Sequence, residues 1–331
     1  MTWGGHTPLI LTKEEADPKG AIAPPIPPAI TDQEISKLRA KGALTPVDVG
    51  GEKARTSDET NIGIYWAYDG ARLLGTPPVL YNEFLWQYVE SDGSLDLPNV
   101  SRLLALCNLA MSDAAIVAWG SKYFHKIWRP VRAIVEKKID ENWHPLGAPR
   151  TNSGAAFPAG ALLGIETAQV LLGASRQSDI RSASGDKGMR EMEALTGRRS
   201  VPYSQAAFTP NFPAYPSGHA TFGGACFGML REIRKETLTS DAAANMITVK
   251  KARSGELNKR FRESTIARDN FTGLPRDEVL MNFPTIDKVL KEIEDSRVFL
   301  GVHWTFDSTE GTASGRRVAD RVRSRAYTRT V

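Results

Sequence analysis

The sequence of 331 residues contains only two cysteines, Cys107 and Cys226. They lie far apart in apolar stretches, so we interpret both as reduced core residues and not as parts of a disulfide framework. The first 29 residues lack the apolar segment of a secretory signal and become proline-rich instead. The longest apolar run that we identify, residues 161–174, is interrupted by polar residues, which argues against a membrane span. We therefore expect a soluble protein, either cytoplasmic or exported by another route.

Alternating runs of β-branched residues are also scarce, which makes a strand-rich fold a poor interpretation. Apolar residues recur instead at helical spacing, as in Leu103, Leu106, Cys107 and Ala110. The net charge of +4 is modest, so it suits an anionic ligand without indicating nucleic acid. The pattern predicts a mainly α fold, built as a helical bundle.

The chain divides into an N-terminal arm and a larger domain. Residues 1–60 are predicted to form a proline-rich arm with one short helix, which Thr31 and Glu34 open as a capping box and Gly42 closes. Residues 61–331 are predicted to form the larger, helical domain. Within it, residues 155–206 begin with small apolar residues and end in a Ser/Gly/Arg-rich stretch, which suggests a surface excursion.

Two later helices have clear start signals. One should begin at Ser217 and run to about Arg234, and the other should have Thr285 as its N-cap and include residues 286–300. The C-terminus then carries a group of arginines, namely Arg316, Arg317, Arg321, Arg323, Arg325 and Arg329. They fit either a docking surface for an acidic partner or a solvated helix face, and the second interpretation is the more common one.

Two separated stretches combine cationic and hydroxyl groups. Lys122 and Arg129 are seven residues apart, so both would project from one face of a continuous helix unless Pro130 bends the chain. The run from Ser217 to His219 follows a proline at a predicted helix start. Free backbone N–H groups and the positive end of the helix dipole make such a start suitable for an oxyanion.

A third stretch contains Arg297, His303 and Asp307. His303 and Asp307 are four residues apart, so a helix would let the carboxylate orient the imidazole and leave one ring nitrogen free. The three stretches together supply three cationic side chains, a hydroxyl group, helix N–H groups and two histidines. Each motif alone is weak, but the full set suits a tetrahedral oxyanion such as phosphate or vanadate.

The other polar residues near these motifs receive simpler interpretations. His125 and His144 are interpreted as surface or hydrogen-bonded histidines. Ser217 and His219 are too close along a helix start to form a nucleophile–base pair, and no Gly-x-Ser-x-Gly motif surrounds the serine. We therefore reject the chemistry of a hydrolase triad.

The motifs resemble the signature of the superfamily that joins vanadium haloperoxidases and type 2 phosphatidic-acid-type acid phosphatases. The matching elements are Lys122-x6-Arg129-Pro130, Pro216-Ser217-Gly218-His219 and Ser296-Arg297-x3-Gly301-x-His303-x3-Asp307. The flanking residues 65–70, 75–78, 212–224 and 299–304 resemble vanadium chloroperoxidases. The resemblance runs with gaps from about residue 61 to 310 and implies the helical bundle of that superfamily as the catalytic domain, with residues 155–206 as an insertion.

The resemblance implies vanadate as the cofactor and a role for each matching residue. His303 would be the axial nitrogen ligand of vanadium, and His219 the acid–base group beside the apical oxygen. The residues that would hold the equatorial oxygens are Lys122, Arg129, Ser217, the Gly218 amide and Arg297. Lys122 would also polarise the bound oxygen that a halide attacks.

Four more residues receive supporting roles from the resemblance. Trp119 and Phe212 match the apolar walls of a halide pocket, although core packing explains them equally well. Asp69 matches an acid that pairs with the second arginine, with an N-cap or turn residue as the alternative. Asp307 would support the ligand histidine.

The implied function is that of a vanadium-dependent haloperoxidase, which oxidises a halide with hydrogen peroxide to hypohalous acid and so halogenates small organic substrates. The first alternative is an acid phosphatase in which His303 attacks phosphorus and His219 protonates the leaving group. A second alternative is a non-catalytic subunit that keeps the pocket only as a scaffold.

The larger chloroperoxidases have a long helical region before the segment that begins here near Asn61. This chain has only about 60 residues at that place. We expect partners that cover the exposed apolar face, either in a homo-oligomer or in a complex with a second helical subunit. We expect no nucleic-acid or membrane partner.

Overall fold

The computed structural model describes residues 5–66, 77–148, 209–210, 212–253 and 280–326. The predictions for Asp69 and for the insertion at 155–206 lie outside these residues. The helices in chain order are α1 (Lys13–Ala16), α2 (Asp32–Lys41), α3 (Ser57–Tyr65), α4 (Pro77–Ser91), α5 (Leu97–His125), α6 (Pro130–Glu136), α7 (Gly218–Arg234), α8 (Asp241–Asn245), α9 (Ile286–Phe299) and α10 (Thr305–Arg325). Strands β1 (Met246–Arg253) and β2 (Leu280–Thr285) form an antiparallel pair. The prediction of a mainly α bundle is confirmed.

The starts of α2, α7 and α9 lie where the capping signals predict them. Thr31, Ser217 and Thr285 are the N-caps, and the side chain of each accepts a backbone N–H of the first turn. The capping box at α2 is only half formed, since Glu34 accepts the backbone N–H of Thr305 at the start of α10. That contact joins α2 to α10, and it replaces a hydrogen bond within α2 with one between distant segments.

The centre of the bundle is the contact between α7 and α10, with α5 packed beside them. Glycines allow α7 and α10 to approach each other closely. A Cβ on Gly224 would lie 2.3 Å from the carbonyl oxygen of Thr312, and one on Gly315 would lie 2.1 Å from that of Thr221. Such approaches are closed to any larger residue.

The main apolar core lies between α4, α5, α7, α9 and the strand pair. Cys107 and Cys226 are both fully buried in it as free thiols, and the Cys107 Sγ lies 3.5 Å from the carbonyl oxygen of Cys226. This confirms the interpretation of both as reduced core residues. Paired residues Val249 and Phe283 of the two strands close one side of the core.

The N-terminal arm lies on helices of its own chain. The buried carboxylate of Asp113 in α5 accepts the backbone N–H groups of residues 9–11, at 2.6 to 2.8 Å. Farther along, the Ser314 hydroxyl donates to the carbonyl of Ile22 at 2.7 Å, and the Tyr215 hydroxyl donates to that of Pro25 at 2.7 Å. These bonds fix the arm against α5, α10 and the segment that precedes α7.

The C-terminal arginines from Arg316 to Arg325 are engaged within the chain, and Arg329 lies outside the described residues. Arg321 and Arg325 pair with Glu15 of the arm, and Arg317 donates to arm carbonyls at residues 22 and 23. Arg323 pairs with Glu236, at 2.7 Å. These arginines therefore hold the arm and neighbouring helices, which leaves little support for a docking surface.

One stretch of the described residues, Leu97–Glu136, is long and apolar enough to cross a membrane by composition. Its most apolar window is 61% buried inside the fold, as expected of the core helix of a bundle.

Candidate active site

Residues from four separated segments meet around one cavity of about 590 Å³. Its polar lining includes Arg129, His219, Arg297 and His303. All four side chains are largely buried, with exposed fractions of 7% or less. The sequence motifs at 122–130, 216–219 and 296–307 are therefore brought together by the fold.

The N-terminus of α7 forms one side of the cavity. Ser217 is its N-cap, and the backbone N–H of Ser217 donates to the carbonyl of Asp307 at 2.8 Å. Gly218 and His219 follow in the first turn, where backbone N–H groups lack partners inside the helix. A Cβ on Gly218 would lie 2.9 Å from the Trp119 ring, so the glycine keeps open the space in front of these groups. The Ser217 hydroxyl accepts the N–H of Ala220 at 3.4 Å, the bond that caps the helix.

His303 is held between a carboxylate and a guanidinium. Its Nδ1 lies 2.9 Å from the Asp307 carboxylate, and its Nε2 lies 2.9 Å from Nη1 of Arg129. Because a guanidinium only donates, Nε2 accepts and Nδ1 carries the proton. The same Asp307 oxygen accepts the N–H of Trp304 at 3.0 Å. His303 is thus a neutral imidazole with its lone pair directed at the cationic side of the cavity.

The electrostatic environment agrees with that tautomer. Burial lowers the pKa of His303 well below its ordinary value, and the charges of Arg129 and Lys122 add to the effect. Burial raises the pKa of Asp307 to about 7, whereas the charge of Lys122 and the N–H of Trp304 act in the opposite direction. The imidazole therefore remains neutral, as a metal ligand must.

Lys122 lies in the last turn of α5 and is fully buried. Its Nζ donates to the carbonyl oxygens of Ala214 (2.8 Å), Pro213 (3.1 Å) and Pro216 (2.5 Å). Burial lowers the pKa of this ammonium, and the nearby charge of Arg129 lowers it further. An ammonium group has three donors, so in this arrangement Lys122 ties down the segment that leads into α7.

Arg297 reaches the cavity from the last turn of α9. Its Nη1 lies 3.5 Å from the carbonyl oxygen of Trp66, and its side chain is nearly buried. Trp119 and Phe212 both lie beside Lys122, with their ring centroids 5.2 Å apart. The Phe212 ring lies 5.2 Å from Lys122 Nζ and 5.1 Å from the Arg129 guanidinium carbon. Attraction between cation and ring face keeps these aromatic walls beside the charges.

Two side-chain pairs that the spacing relates lie on no shared helix. Lys122 and Arg129 do not share one helix, because α5 ends at His125 and Lys126 is left-handed at φ 55°. Pro130 begins α6 and holds Arg129 in an extended conformation, which is the bend that the proline made conceivable. His303 likewise precedes α10, and only Asp307 lies within its first turn. The predicted contact between the two forms without a shared helix.

Some site features were not predicted from the sequence. Arg55 is buried beneath the segment that leads to His303 and donates to the carbonyls of Ala43 (2.7 Å) and Phe299 (3.2 Å). The Lys122 contacts were also missed. Only the apolar character of Met111 and Ala115, both in the cavity wall, could have indicated a role in lining the cavity.

Comparison with known proteins assigns the fold to a family. A family model for the VCPO second helical-bundle domain matches residues 102–330. The chain belongs to this family.

Relatives of known name agree with this assignment. The chain is 29% identical over 330 residues to a vanadium chloroperoxidase of Curvularia inaequalis, a match that covers 92% of the chain and 45% of that protein. A bacterial vanadium-dependent iodoperoxidase has a similar fold, with a TM-score of 0.54 and 17% identity over 97% of the chain and 56% of that structure. A holo-type bacterial vanadium-dependent chloroperoxidase gives a TM-score of 0.54 at 14% identity, covering 97% and 53%. The chain spans about half the length of these relatives.

The names of these relatives indicate vanadium, and the residues present can be tested against it. Within the described part of the chain, no three His, Cys, Asp or Glu residues are grouped as metal ligands. The site instead offers the imidazole lone pair of His303 beside cationic side chains, helix N–H groups and a second histidine, His219. Such a set suits a metal oxyanion, in which oxygen atoms fill most of the coordination positions.

Proposed function

We propose that the chain binds vanadate in this cavity and uses it, with hydrogen peroxide, to oxidise halide to hypohalous acid. The observation that carries the proposal is the Nε2 lone pair of neutral His303, which faces the cavity next to Arg129, Arg297 and the start of α7. A cavity lined by two guanidinium groups favours a densely charged anion. A neutral imidazole with a fixed tautomer adds the one bond that distinguishes vanadate from other oxyanions.

The bound vanadate would supply a Lewis-acid centre that activates peroxide. His303 would coordinate it through Nε2, while Asp307 holds the proton on Nδ1 and keeps the ring in place. Arg129 already points at this nitrogen and would exchange that contact for an oxygen of the anion. Arg297 and the N–H groups at Gly218 and His219 would offset the remaining negative charge.

His219 would accept a proton from hydrogen peroxide at a ring nitrogen and return it when product oxygen leaves. Its position in the first turn of α7 and its low exposure of 7% place the ring in the cavity wall. Lys122 would contribute its positive charge to the anion site. It would also hold the segment before α7 in place through the carbonyls of Pro213, Ala214 and Pro216. Trp119 and Phe212 would provide an apolar surface against which a halide ion could lie.

Metal analysis after loading with orthovanadate, followed by a peroxide-dependent bromination assay, tests the proposal. His303→Ala should lose bound vanadium and bromination together, because it removes the only protein bond to the metal. His219→Ala should retain vanadium and lose most turnover, and exposed His6→Ala should retain both. Full bromination by His303→Ala would overturn the assignment.

A second candidate function, phosphate-ester hydrolysis, is supported by the same pair of residues. The Nε2 of His303, oriented by Asp307, is also suited to attack phosphorus, with His219 as the acid for the leaving group. Hydrolysis of p-nitrophenyl phosphate by the vanadate-free protein would measure it. Efficient hydrolysis that depends on His303, with no peroxide-dependent bromination after vanadate loading, would favour the phosphatase.

A further inference from the structure

The cavity is far larger than the oxyanion and halide that the proposed function requires. Its volume of about 590 Å³ lies in the range of about 300–1,000 Å³ that is typical of pockets for small organic ligands. The lining reaches from Trp119 to Asn108 along α5, which at 1.5 Å per residue is about 16 Å. The cavity therefore has a cationic end and a long extension away from it.

The extension has an apolar wall built by one face of a helix. Met111, Ala115 and Trp119 are spaced four residues apart on α5, so they line the same side. Phe222 from α7 lies opposite, with its ring centroid 6.0 Å from that of Trp119, and residues 77–78 at the start of α4 complete the wall. The small side chain of Ala115 leaves open the space that a larger residue would fill.

Polar groups in the extension are few and uncharged. Ser112 and Asn108 lie one helical turn apart on the cavity side of α5. Among the lining residues that the structure describes, the two charged side chains, Arg129 and Arg297, belong to the oxyanion end. The extension therefore matches an uncharged molecule that is mostly apolar and has at most one polar group at its far end.

We propose that this extension binds the organic substrate, an elongated and uncharged electron-rich aromatic compound, beside the oxyanion end. The inference rests on the proposed function, since that reaction would supply the hypohalous acid. In the step it serves, the halogen leaves the oxygen of hypohalous acid and bonds to a ring carbon. The ring proton departs and combines with the released hydroxide as water. A substrate held along α5 would present one ring position to the halogen, so halogenation would be selective.

Binding can be tested without vanadate, peroxide or halide. N-phenyl-1-naphthylamine is uncharged and aromatic, and its emission rises in an apolar environment, so it serves as the probe. We expect saturable binding to the vanadate-free protein, and saturating phosphate should leave it unchanged because the two ligands occupy different ends of the cavity. No saturable binding, or displacement of the probe by phosphate, would overturn the inference.

A matched pair of variants on α5 locates the probe. Ser112→Phe fills the extension and should weaken binding about tenfold or more, equivalent to about 1.4 kcal/mol. Ser101→Phe makes the same change at an exposed position of the same helix and should bind as the wild type does. Equal affinity of the two variants for the probe would contradict binding of the probe in the extension. Ala115→Met offers the same test with a smaller change if circular dichroism shows that Ser112→Phe fails to fold.

Iodide oxidation by the vanadate-loaded wild type, with no organic compound present, separates this inference from the proposed function. Triiodide formation without probe binding would leave the haloperoxidase intact and remove the substrate site. Probe binding without triiodide formation would remove the haloperoxidase function and with it the halogenation step, and would leave only a site for an uncharged aromatic compound.

Discussion

Above pH 7, where the Asp307 carboxyl with its pKa of about 7 is ionised, replacing Asp307 by asparagine removes one negative charge from the buried site and keeps the shape of the side chain. The carboxylate oxygen that faces His303 Nδ1 at 2.9 Å also accepts the N–H of Trp304 at 3.0 Å. Both neighbours donate, so the amide oxygen of the asparagine should take that position. The tautomer of His303 should therefore persist in Asp307→Asn, and only the charge behind the ring should be lost.

Two effects of this loss oppose each other. Without the carboxylate the imidazole becomes a weaker ligand, and loss of such a supporting group typically lowers metal affinity by about 10–100-fold. The site also becomes more cationic, since Lys122, Arg129 and Arg297 remain, which favours any anion. Vanadate responds to both effects, whereas phosphate forms no bond between metal and imidazole and responds to charge alone.

We therefore expect Asp307→Asn to bind orthovanadate about tenfold more weakly, at the low end of that range because the hydrogen bond is kept. Phosphate affinity should be unchanged or higher. Asp307→Ala should lose about 100-fold in vanadate affinity and should also be less stable. It leaves the donors of His303 and Trp304 without their acceptor, each at a cost of about 1–3 kcal/mol.

Isothermal titration of the vanadate-free protein with each anion, and of vanadate in the presence of phosphate, would measure these changes. Asp58→Asn makes the same substitution on the exposed first turn of α3 and should leave both affinities unchanged. An equal loss of vanadate and phosphate affinity in Asp307→Asn would refute the reasoning, because it would show that His303 holds both anions in the same way. Vanadate binding undiminished by excess phosphate would contradict a shared site.

Two further outcomes follow from the structure, and a third tests the oligomer that the sequence analysis expects. Gly218→Ala, whose Cβ would lie 2.9 Å from Trp119, should weaken phosphate binding about tenfold by titration. Gly93→Ala, with open space around it, should not, and equal effects would refute a steric cause. Arg55→Met should lower the free energy of unfolding in urea by about 3 kcal/mol or more, because buried carbonyls lose their donor; a loss under 1 kcal/mol would contradict this support. Light scattering at micromolar concentration should show an oligomer, and a stable, active monomer would contradict that expectation.

The parts of the fold that depend on neighbouring residues were predictable from the sequence. N-caps at Ser217 and Thr285 satisfy N–H groups within three residues, so composition alone locates them. Lys122 and Arg129 do not share a helical face as their spacing alone would indicate, because two local rules compete there. Helical periodicity would place them on one face, but the restriction that Pro130 imposes on Arg129 prevails.

Contacts between distant segments could not be predicted in this way. The three carbonyls that surround Lys122 belong to residues about ninety positions away, and the acceptor that Arg55 finds at Phe299 lies 244 positions away. Backbone carbonyls carry no sequence signature, because every residue has one. The motifs therefore indicated which side chains would converge on the cavity, whereas the backbone groups that hold them became visible only in the fold.

The segment from Phe212 to Ser217 shows how those backbone contacts serve the site. It has no regular secondary structure, yet it supplies the cavity wall and the N-cap of α7. Lys122 binds its carbonyls from one side, and Tyr215 bonds to the carbonyl of Pro25 in the N-terminal arm on another. The arm in turn is held by the carboxylate of Asp113 in α5, the same helix that carries Lys122. An irregular segment keeps one geometry only when such bonds fix it from several sides. The arm is thus part of the support of the candidate site, although none of its residues belongs to the motifs.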